Sequence, residues 1–392
     1  MANKDTRAML GEAFLSIAKA VETGTYGKKP RIGLGTLGSE HGMENMLEGA
    51  KLAGQNGGCD IVLIGPKCDA PFEQAIAENE SQAHKKMEEM LDNGSLDAAV
   101  SMHYSFPIGV ATVGRFVSPA RGREVFLAST TGTSSTKRSQ AMVLNAVGGI
   151  IAAKACGIKN PSLGILNVDN ARTVERALMD LSANGYTINF GGSKRSDGGA
   201  IMRGNDLLTG SADVMVTDSL SGNIFMKLLS SFTSGGSYET TGCGYGPGIG
   251  PDYKRCILIL SRASGSPVVA GAIRYALALV KGNIQQLASE EYGAAKAAGL
   301  DRILASLDKN RDQPGQSVIP VPAKEVLTGT IAGIDIMELD RAVERLWANN
   351  IYAESGMGCT GPIVMVNDAK ISDAVDILIK EGFVSKETAR CQ

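Results

Sequence analysis

Short apolar runs alternate with segments of helical periodicity over most of the chain. The runs are rich in Val, Ile and Leu and end in Gly, Ser, Thr or Asp; they cover residues 31–35, 60–65, 96–101, 124–129, 162–168, 212–218 and 256–260. The helical segments between them include 43–55, 139–157 and 171–185. Continuous apolar strands that alternate with helices predict an α/β fold with a mainly parallel sheet covered on both faces.

The two ends of the chain depart from this alternation. Residues 1–29 are predicted to hold one amphipathic helix, at about 5–22, ahead of the first strand. A polar and then proline-bearing stretch at 308–323 is predicted to link the body, residues 30–285, to a C-terminal α/β unit, residues 310–392. That unit is predicted to contain the strands "SVIPV" and "IVMV", the helices 336–350 and 371–382, and a glycine-rich turn around Cys359.

Composition narrows the class of protein. The 39 basic side chains nearly balance 41 acidic ones, so we expect no surface for nucleic acid. No apolar stretch approaches the roughly 18 residues of a membrane-spanning helix, and the first residues lack the apolar core of a signal peptide. We therefore expect no membrane partner and a cytoplasmic protein with reduced thiols, at Cys59, Cys68, Cys156, Cys243, Cys256, Cys359 and Cys391.

One glycine-rich turn matches the dinucleotide-binding fingerprint. Gly33, Gly35 and Gly38 follow the first strand and precede a helix, with the GxGxxG spacing. The fingerprint also needs an acidic residue at the end of the next strand, whereas Asp60 lies at the start of that strand. We interpret the motif as an ordinary strand-to-helix turn and predict no cofactor.

The segment 216–232 is a candidate phosphate site. A strand ends at Asp218, a Ser/Gly turn follows, and a helix is predicted from Asn223 onward. Asn223 and Lys227 are four residues apart and share one face of that helix. Free N–H groups at the helix start and the charge of Lys227 suit an oxyanion or a phosphate. An ordinary capped helix with a solvated lysine gives the same pattern.

A second candidate phosphate site lies in the segment 256–280. Ser261, Arg262 and Ser264 occupy a predicted strand-to-helix loop. A planar guanidinium beside two hydroxyls suits bidentate binding of phosphate. An arginine paired with a surface carboxylate is the alternative interpretation.

Both segments belong to an ordered set that resembles a known family. Over residues 30–285 the chain is similar to the PlsX-type phosphate acyltransferases, and "SGNIFMK" and "LSR" also resemble phosphate acetyltransferases. The resemblance implies a two-lobed, isocitrate-dehydrogenase-like fold with a mainly parallel sheet, and acyl transfer to inorganic phosphate. It depends on the stretches "GSEHGMENMLEGAKLA", "DIVLIGP", "GIKNPSLGILNV", "INFGGS" and "ADVMVTDSLSGNIFMK".

The C-terminal unit is foreign to both of those families. Its "ESGMGCTGP" motif is similar to the alpha subunits of protein C in the glycine/sarcosine/betaine reductase complexes, a resemblance that would cover the whole chain. This resemblance implies that an acetyl group, generated from a carboxymethyl group on selenoprotein A, is released by inorganic phosphate as acetyl phosphate. It also implies the beta subunit of protein C as a partner.

The resemblance assigns roles to individual residues. Asn223 and Lys227 match the start of the acyltransferase helix and are expected to bind phosphate. Ser261 and Arg262 match the Ser-Arg pair of the acetyltransferase active site, and Ser264 of the same loop joins them as a phosphate ligand.

One acidic residue of the acetyltransferase pattern is missing. It should follow the Ser-Arg pair, but Val268 and Val269 stand there, so its proton-handling role is unassigned. His41, in "GSEHG", is a candidate acid/base near the expected cleft. His84 and His103 have no partners at ligand spacing, so we predict no metal.

Cys359 is the candidate nucleophile of the C-terminal unit. Its flanking glycines, Gly356, Gly358 and Gly361, let backbone N–H groups approach, which would lower the pKa of the thiol and stabilise an oxyanion. A cysteine that only fills a small gap in the core is the alternative. Cys243, in "TTGCGYGPGIG", lies in an equally glycine-rich loop and is the rival nucleophile.

Three functions therefore compete. The first is a complex subunit that passes an acetyl group from an enzyme thioester to phosphate. The second is a free-standing phosphate acyltransferase that uses an acyl carrier or acyl-CoA, with Cys359 structural. The third is a non-catalytic subunit that only positions a partner.

Overall fold

The chain divides into two compact units, residues 1–308 and 309–392. The computed structural model describes residues 9, 11, 13–15, 17, 18, 21, 29–55, 57–194, 199–309, 320–334, 338–358 and 361–384. The described positions from 9 to 21 are helical and exposed. Within these described ranges no helix is long and apolar enough to cross a membrane.

A mixed sheet organises the first unit. Its strands are β1 (Arg31–Gly35), β2 (Asp60–Gly65), β3 (Glu73–Ile76), β4 (Ala98–Met102), β5 (Val110–Val117), β6 (Glu124–Thr133), β7 (Ser162–Leu166), β8 (Asn189–Phe190), β9 (Ile201–Met202), β10 (Val214–Val216), β11 (Gly246–Ile249) and β12 (Ile257–Leu260). The order of these twelve strands is β3-β2-β1-β4-β12-β11-β5-β6-β10-β7-β8, and β9 also pairs with β7.

Helices pack along this sheet and follow most of its parallel strands. They are α1 (Gly42–Gly54), α2 (Glu80–Asp92), α3 (Arg138–Ala155), α4 (Ala171–Ala183), α5 (Gly204–Thr209), α6 (Ser219–Ser231), α7 (Ser266–Lys281), α8 (Ile284–Ala297) and α9 (Leu300–Lys309). Helix α3 is buried over most of its length, with Met142, Val143, Ala146, Val147 and Ile151 fully enclosed. A helix that is apolar on all sides belongs in the centre of such a core.

The sheet has two parallel halves joined by antiparallel strands. On one side β1 pairs in parallel with β2 and β4, and β4 with β12. On the other side β10 pairs in parallel with β6 and β7. Between them, β11 runs antiparallel to both β12 and β5, and β5 is antiparallel to β6. The predicted α/β fold with a mainly parallel sheet is therefore confirmed.

The two antiparallel joining strands are absent from the sequence prediction. β11 reads "GPGI", and Gly246 has φ +87, a left-handed conformation that favours glycine. Glycine and proline are depleted in strands, so propensity argues against this assignment. Only pairing with β12 and β5 makes this segment a strand.

The second unit is a three-stranded antiparallel sheet packed against helices. Its elements are β13 (Gly329–Ala332), α10 (Leu339–Ala348), β14 (Ala353–Gly358), β15 (Gly361–Val366) and α11 (Ile371–Lys380). β15 is central, and apolar residues of both helices pack with those of the sheet, including Leu346, Val364, Val366 and Leu378. The strand predicted at "SVIPV" is not found: Pro320 and Val321 lie outside strands, and its first three residues lie outside the described residues.

Candidate active site

Two loops of the first unit meet at the carboxyl ends of β1 and β12. The backbone amide of Glu40 donates to the carbonyl of Arg262 (3.0 Å), and Nε2 of His41 lies 3.3 Å from the carbonyl oxygen of Ala263. The imidazole also packs edge-on against Tyr238, with ring centroids 5.6 Å apart. The predicted acid/base candidate therefore lies next to the Ser-Arg loop, as parallel sheets place ligand sites at their carboxyl ends.

A buried carboxylate lies behind the same loop. Glu239 is 3% exposed, and its two oxygens accept hydrogen bonds from the hydroxyls of Ser264 and Tyr245, both at 2.8 Å. The carbonyl of Ser264 accepts in turn from the side-chain amide of Asn45 (2.9 Å). Ser264 is itself fully buried. Its hydroxyl therefore anchors the loop and does not face a substrate.

Helix α6 approaches this loop with its N-terminus packed tightly on β6. Asp218 caps the helix by accepting from a first-turn amide (3.1 Å). A Cβ on Gly222 would lie 1.7 Å from the carbonyl oxygen of Ser129, so only glycine fits at this contact. The side-chain amide of Asn223 donates to the carbonyl of Thr130 (3.2 Å). One of the two side-chain N–H groups of Asn223 is therefore already hydrogen-bonded to β6.

Two exposed cations, Lys227 and Arg262, lie on segments that contact Tyr245. Nζ of Lys227 lies 5.7 Å from the centroid of the Tyr245 ring, within range of a cation–π interaction. The hydroxyl of Ser261, next to Arg262, also interacts with that of Tyr245. Among the described residues, no carboxylate lies within 4.0 Å of the charged nitrogens of Lys227 or Arg262. Both charges are therefore available to an anion.

An ion-pair network supports the start of α6. Arg138, at the start of α3, bridges Asp169 (2.8 Å) and Asp218 (2.9 Å). Burial alone would raise the pKa of Asp218, but hydrogen bonds from Ser221 and the charge of Arg138 outweigh burial and hold that pKa below its usual range. Asp218 is therefore ionised at neutral pH, as its capping role requires.

The predicted residues fall into three groups. Ser261, Arg262 and Ser264 share one loop, which His41 contacts directly. Lys227 and Asn223 lie on α6, and Lys227 reaches the loop through the ring of Tyr245. Cys359 lies outside the described residues.

Sequence reasoning missed Glu239 and Tyr245. Glu239 stands 22 residues before Ser261 in a glycine- and threonine-rich segment, where a lone acidic residue carries no motif. Val268 and Val269, at the position of the missing acidic residue, are fully buried. Burial raises the pKa of the Tyr245 hydroxyl, and Glu239 adds to that increase, so the hydroxyl stays protonated and donates.

The rival nucleophile is poorly suited to its role. Cys243 is 6% exposed, and burial raises the pKa of its thiol despite the nearby guanidinium of Arg115, whose Nε lies 3.4 Å from the sulfur. Burial likewise raises the pKa of Cys156, to about 11. The thiolate is the reactive form of cysteine, so Cys243 is a weak nucleophile at neutral pH.

The glycines of the dinucleotide-like motif lie partly inside the first strand. Gly33 and Gly35 lie inside β1 and not in the turn after it, and a Cβ on Gly33 would lie 2.7 Å from Cδ1 of Leu96. Close packing accounts for that glycine without a dinucleotide. Among the described residues, no group of three His, Cys, Asp or Glu side chains could hold a metal ion.

The fold and this pocket define an α/β protein with a candidate anion site at the carboxyl edge of its sheet. A family model described as fatty acid synthesis protein matches residues 30–365, and the chain belongs to this family. The glycine/sarcosine/betaine reductase complex component C subunit alpha of Peptoclostridium acidaminophilum is 57% identical over 383 residues, which make up 97% of this chain and 100% of that protein. The resemblance of the whole chain to these alpha subunits is thereby confirmed.

Two more distant similarities are to a phosphate acyltransferase and to a phosphotransacylase. A phosphate acyltransferase of Thermotoga maritima is 25% identical over 236 residues, 51% of this chain and 68% of that protein. A branched-chain phosphotransacylase from Enterococcus faecalis V583 has a TM-score of 0.44 and 13% identity, and the match covers 64% of this chain and 99% of that chain.

Proposed function

We propose that this protein transfers an acyl group to inorganic phosphate as a subunit of a glycine/sarcosine/betaine-type reductase complex, with acetyl phosphate as the product. The observation that carries the proposal is that Lys227 and Arg262 are exposed and have no carboxylate partner among the described residues. Lys227 lies over the ring of Tyr245, and Arg262 follows Ser261 in one loop. Similarity to phosphate acyltransferases and to a reductase subunit supports the same reaction class.

Phosphate would be the acceptor in the first unit. Arg262 offers a planar fork that suits two phosphate oxygens, and Lys227 adds a point charge. Asn223 has one side-chain N–H left for the anion after its bond to Thr130. His41 lies beside the Ser-Arg loop, and its imidazole can carry a proton. Positioning and charge neutralisation of this kind are the main contributions a protein makes to such a transfer.

The acyl group would be held as a thioester on Cys359 of the second unit. Phosphate oxygen attacks the thioester carbonyl, so a C–O bond forms and the C–S bond breaks. The proton of HPO₄²⁻ passes to the departing sulfur, which leaves the acyl phosphate and a free thiol. The thiolate is a good leaving group, because its unperturbed pKa is about 8.5. Backbone N–H groups near the flanking glycines would stabilise the intermediate oxyanion.

Two other proteins complete the proposed reaction. Selenoprotein A is the source of the acyl group, and the beta subunit of protein C is the direct partner. The subunit works in the cytoplasm and needs neither a metal nor an organic cofactor of its own.

The test is phosphate-dependent acyl release by the assembled complex. With the acyl donor present, we expect acyl phosphate only when phosphate is added, and arsenate should replace phosphate and discharge the acyl group to water. Full activity with acyl-CoA and no partner would instead support the free-standing acyltransferase. No phosphate-dependent turnover in any pairing would support a non-catalytic subunit.

A further inference from the structure

The carboxylate of Glu239 connects two parts of the candidate phosphate site, the Ser-Arg loop and Tyr245. Its oxygens each have one donor, the hydroxyls of Ser264 and Tyr245. Ser264 belongs to the Ser-Arg loop, whereas Tyr245 lies under Nζ of Lys227 on helix α6. The buried carboxylate of Glu239 is therefore bonded both to the Ser-Arg loop and to Tyr245, the residue whose ring lies under Lys227.

The backbone of Glu239 reinforces this connection. Its amide donates to the carbonyl of Ala263 and its carbonyl accepts from the amide of Gly265, both at 2.9 Å. These two bonds form a parallel bridge between Glu239 and Ser264. The segment that carries the carboxylate is thus fastened along the Ser-Arg loop, and a change at Glu239 acts directly on that loop.

The hydrogen bonds also have a fixed direction. A carboxylate only accepts, so both hydroxyls must donate to it. With its proton directed to Glu239, Tyr245 offers lone pairs to its remaining neighbour, the hydroxyl of Ser261. Ser261 then donates to Tyr245. Its oxygen accepts from the backbone amide of Ala263 (3.2 Å), which leaves one lone pair for an anion. The oxygen of Ser261 could accept from the P–OH group of HPO₄²⁻. The other phosphate oxygens carry the negative charge and would bind Arg262 and Lys227.

We propose that Glu239 is a positioning residue for phosphate: through Ser264 and Tyr245 it orients Ser261 and Arg262. This inference rests on the proposed function, because it assumes that the pocket takes phosphate. Glu239 does not touch the anion.

The test is equilibrium binding of inorganic phosphate to the full-length protein, measured by calorimetry, with Glu239→Gln as the main variant. A glutamine keeps the shape but has one acceptor oxygen and one donor nitrogen, so the hydroxyl of either Tyr245 or Ser264 must accept where it had donated. We expect phosphate affinity to fall about 10-fold, the cost of one misdirected hydrogen bond. The unfolding temperature should change little. A merely electrostatic role predicts the reverse, since removal of a negative charge behind the pocket should tighten anion binding.

Two further variants make the outcome decisive. Glu175→Gln alters another buried glutamate of the same unit, 8% exposed and paired with Arg172, and should leave phosphate affinity unchanged. Tyr245→Phe removes one link but keeps the bond between Glu239 and Ser264; it should weaken phosphate binding by a smaller factor, and it decides the matter if Glu239→Gln does not fold. Unchanged or tighter binding in the Glu239 variant would overturn the inference.

The binding assay also separates this inference from the proposed function. If wild type binds phosphate and Arg262→Ala does not, but the variants at 239 and 245 bind normally, the pocket is correct and the role of Glu239 is wrong. If wild type does not bind phosphate, both are wrong.

Discussion

The two units of this protein use buried polar groups differently. In the first unit Glu239, Ser264 and Thr130 are buried and hydrogen-bonded around the candidate pocket. In the second unit, the described buried side chains other than Tyr352 are apolar, as in the cluster of Leu346, Val364 and their neighbours. A satisfied polar network rigidifies a site, whereas an apolar core specifies a fold without orienting chemistry.

This difference indicates which unit would control each half of the proposed reaction, the binding of phosphate or the loading of the acyl group. An acceptor pocket for phosphate needs groups held in place before the anion binds. A thiol that carries an acyl group needs access and a suitable pKa, which depend on local backbone and not on a buried network. Changes in the first unit should therefore alter phosphate use, and changes in the second should alter acyl loading.

The largest expected effect is at the proposed thiol. Cys359→Ser preserves size but not leaving-group ability, so acyl phosphate formation should fall by about 10³-fold or more while phosphate binding is retained. The measurement is acyl phosphate production by the assembled complex. Cys243→Ser is the matched control and should keep near-normal turnover, because that thiol is buried and protonated. The opposite ranking of the two variants would move the chemistry into the first unit.

The next largest effect is expected at Arg262, on the KM for phosphate. Arg262→Ala should raise the KM for phosphate about 100-fold, because a charged hydrogen-bonding fork is lost. Arg262→Lys keeps the charge but loses the fork, and an intermediate value is expected. Acyl loading should be normal in both variants. Arg176→Ala, an exposed arginine on α4, is the control, and an equal effect there would show that net charge alone matters.

A smaller effect is expected at the second cation. Lys227→Met keeps much of the side chain over Tyr245 but removes its charge, and the KM for phosphate should rise about 10-fold. Increasing ionic strength should reduce the difference between the variant and wild type, because salt screens exposed charges. A KM that is unchanged at low salt would remove Lys227 from the pocket.

The smallest effect is on stability. Asp218→Ala should lower the free energy of unfolding of the first unit by about 1 to 2 kcal/mol at pH 7, since the helix loses its cap. The native pKa of Asp218 is depressed, so its contribution is present above the unfolded pKa and lost as pH falls through the native value. Urea titrations at pH 7 and in acid should therefore show the difference shrinking as pH falls. A difference that grows in acid would contradict this.

Sequence patterns predicted seven strands of the parallel part of the sheet, but not the short parallel strands β3, β8 and β9. They also indicated some of the residues of the candidate site. β1, β2 and β6 follow directly from apolar runs, because a strand buried on both faces needs them. Ser261 and Arg262 could be found because they are neighbours in one loop. β11 could not be found, since its glycines and proline oppose strand formation until tertiary pairing overrides propensity.

The missing part of the pocket depends on contacts distant in sequence. Glu239 is 25 residues from Ser264, and Tyr245 meets Lys227 only when α6 packs on β5 and β6. No local pattern encodes such a meeting. Ser264 illustrates the same point in reverse: its loop position indicated a phosphate ligand, but its buried hydroxyl bonds to Glu239.

Our main proposal is that an acyl group is bound to Cys359 as a thioester before inorganic phosphate removes it. The most direct measurement is the intact mass of this protein, first after exposure to the acyl donor within the complex and then after addition of phosphate. We expect the added mass of one acyl group on the peptide that contains Cys359. Phosphate should remove this mass and form acyl phosphate. The Arg262→Ala variant should retain the adduct after phosphate is added. Turnover at the normal rate without any adduct, or an adduct on Cys243, would contradict it.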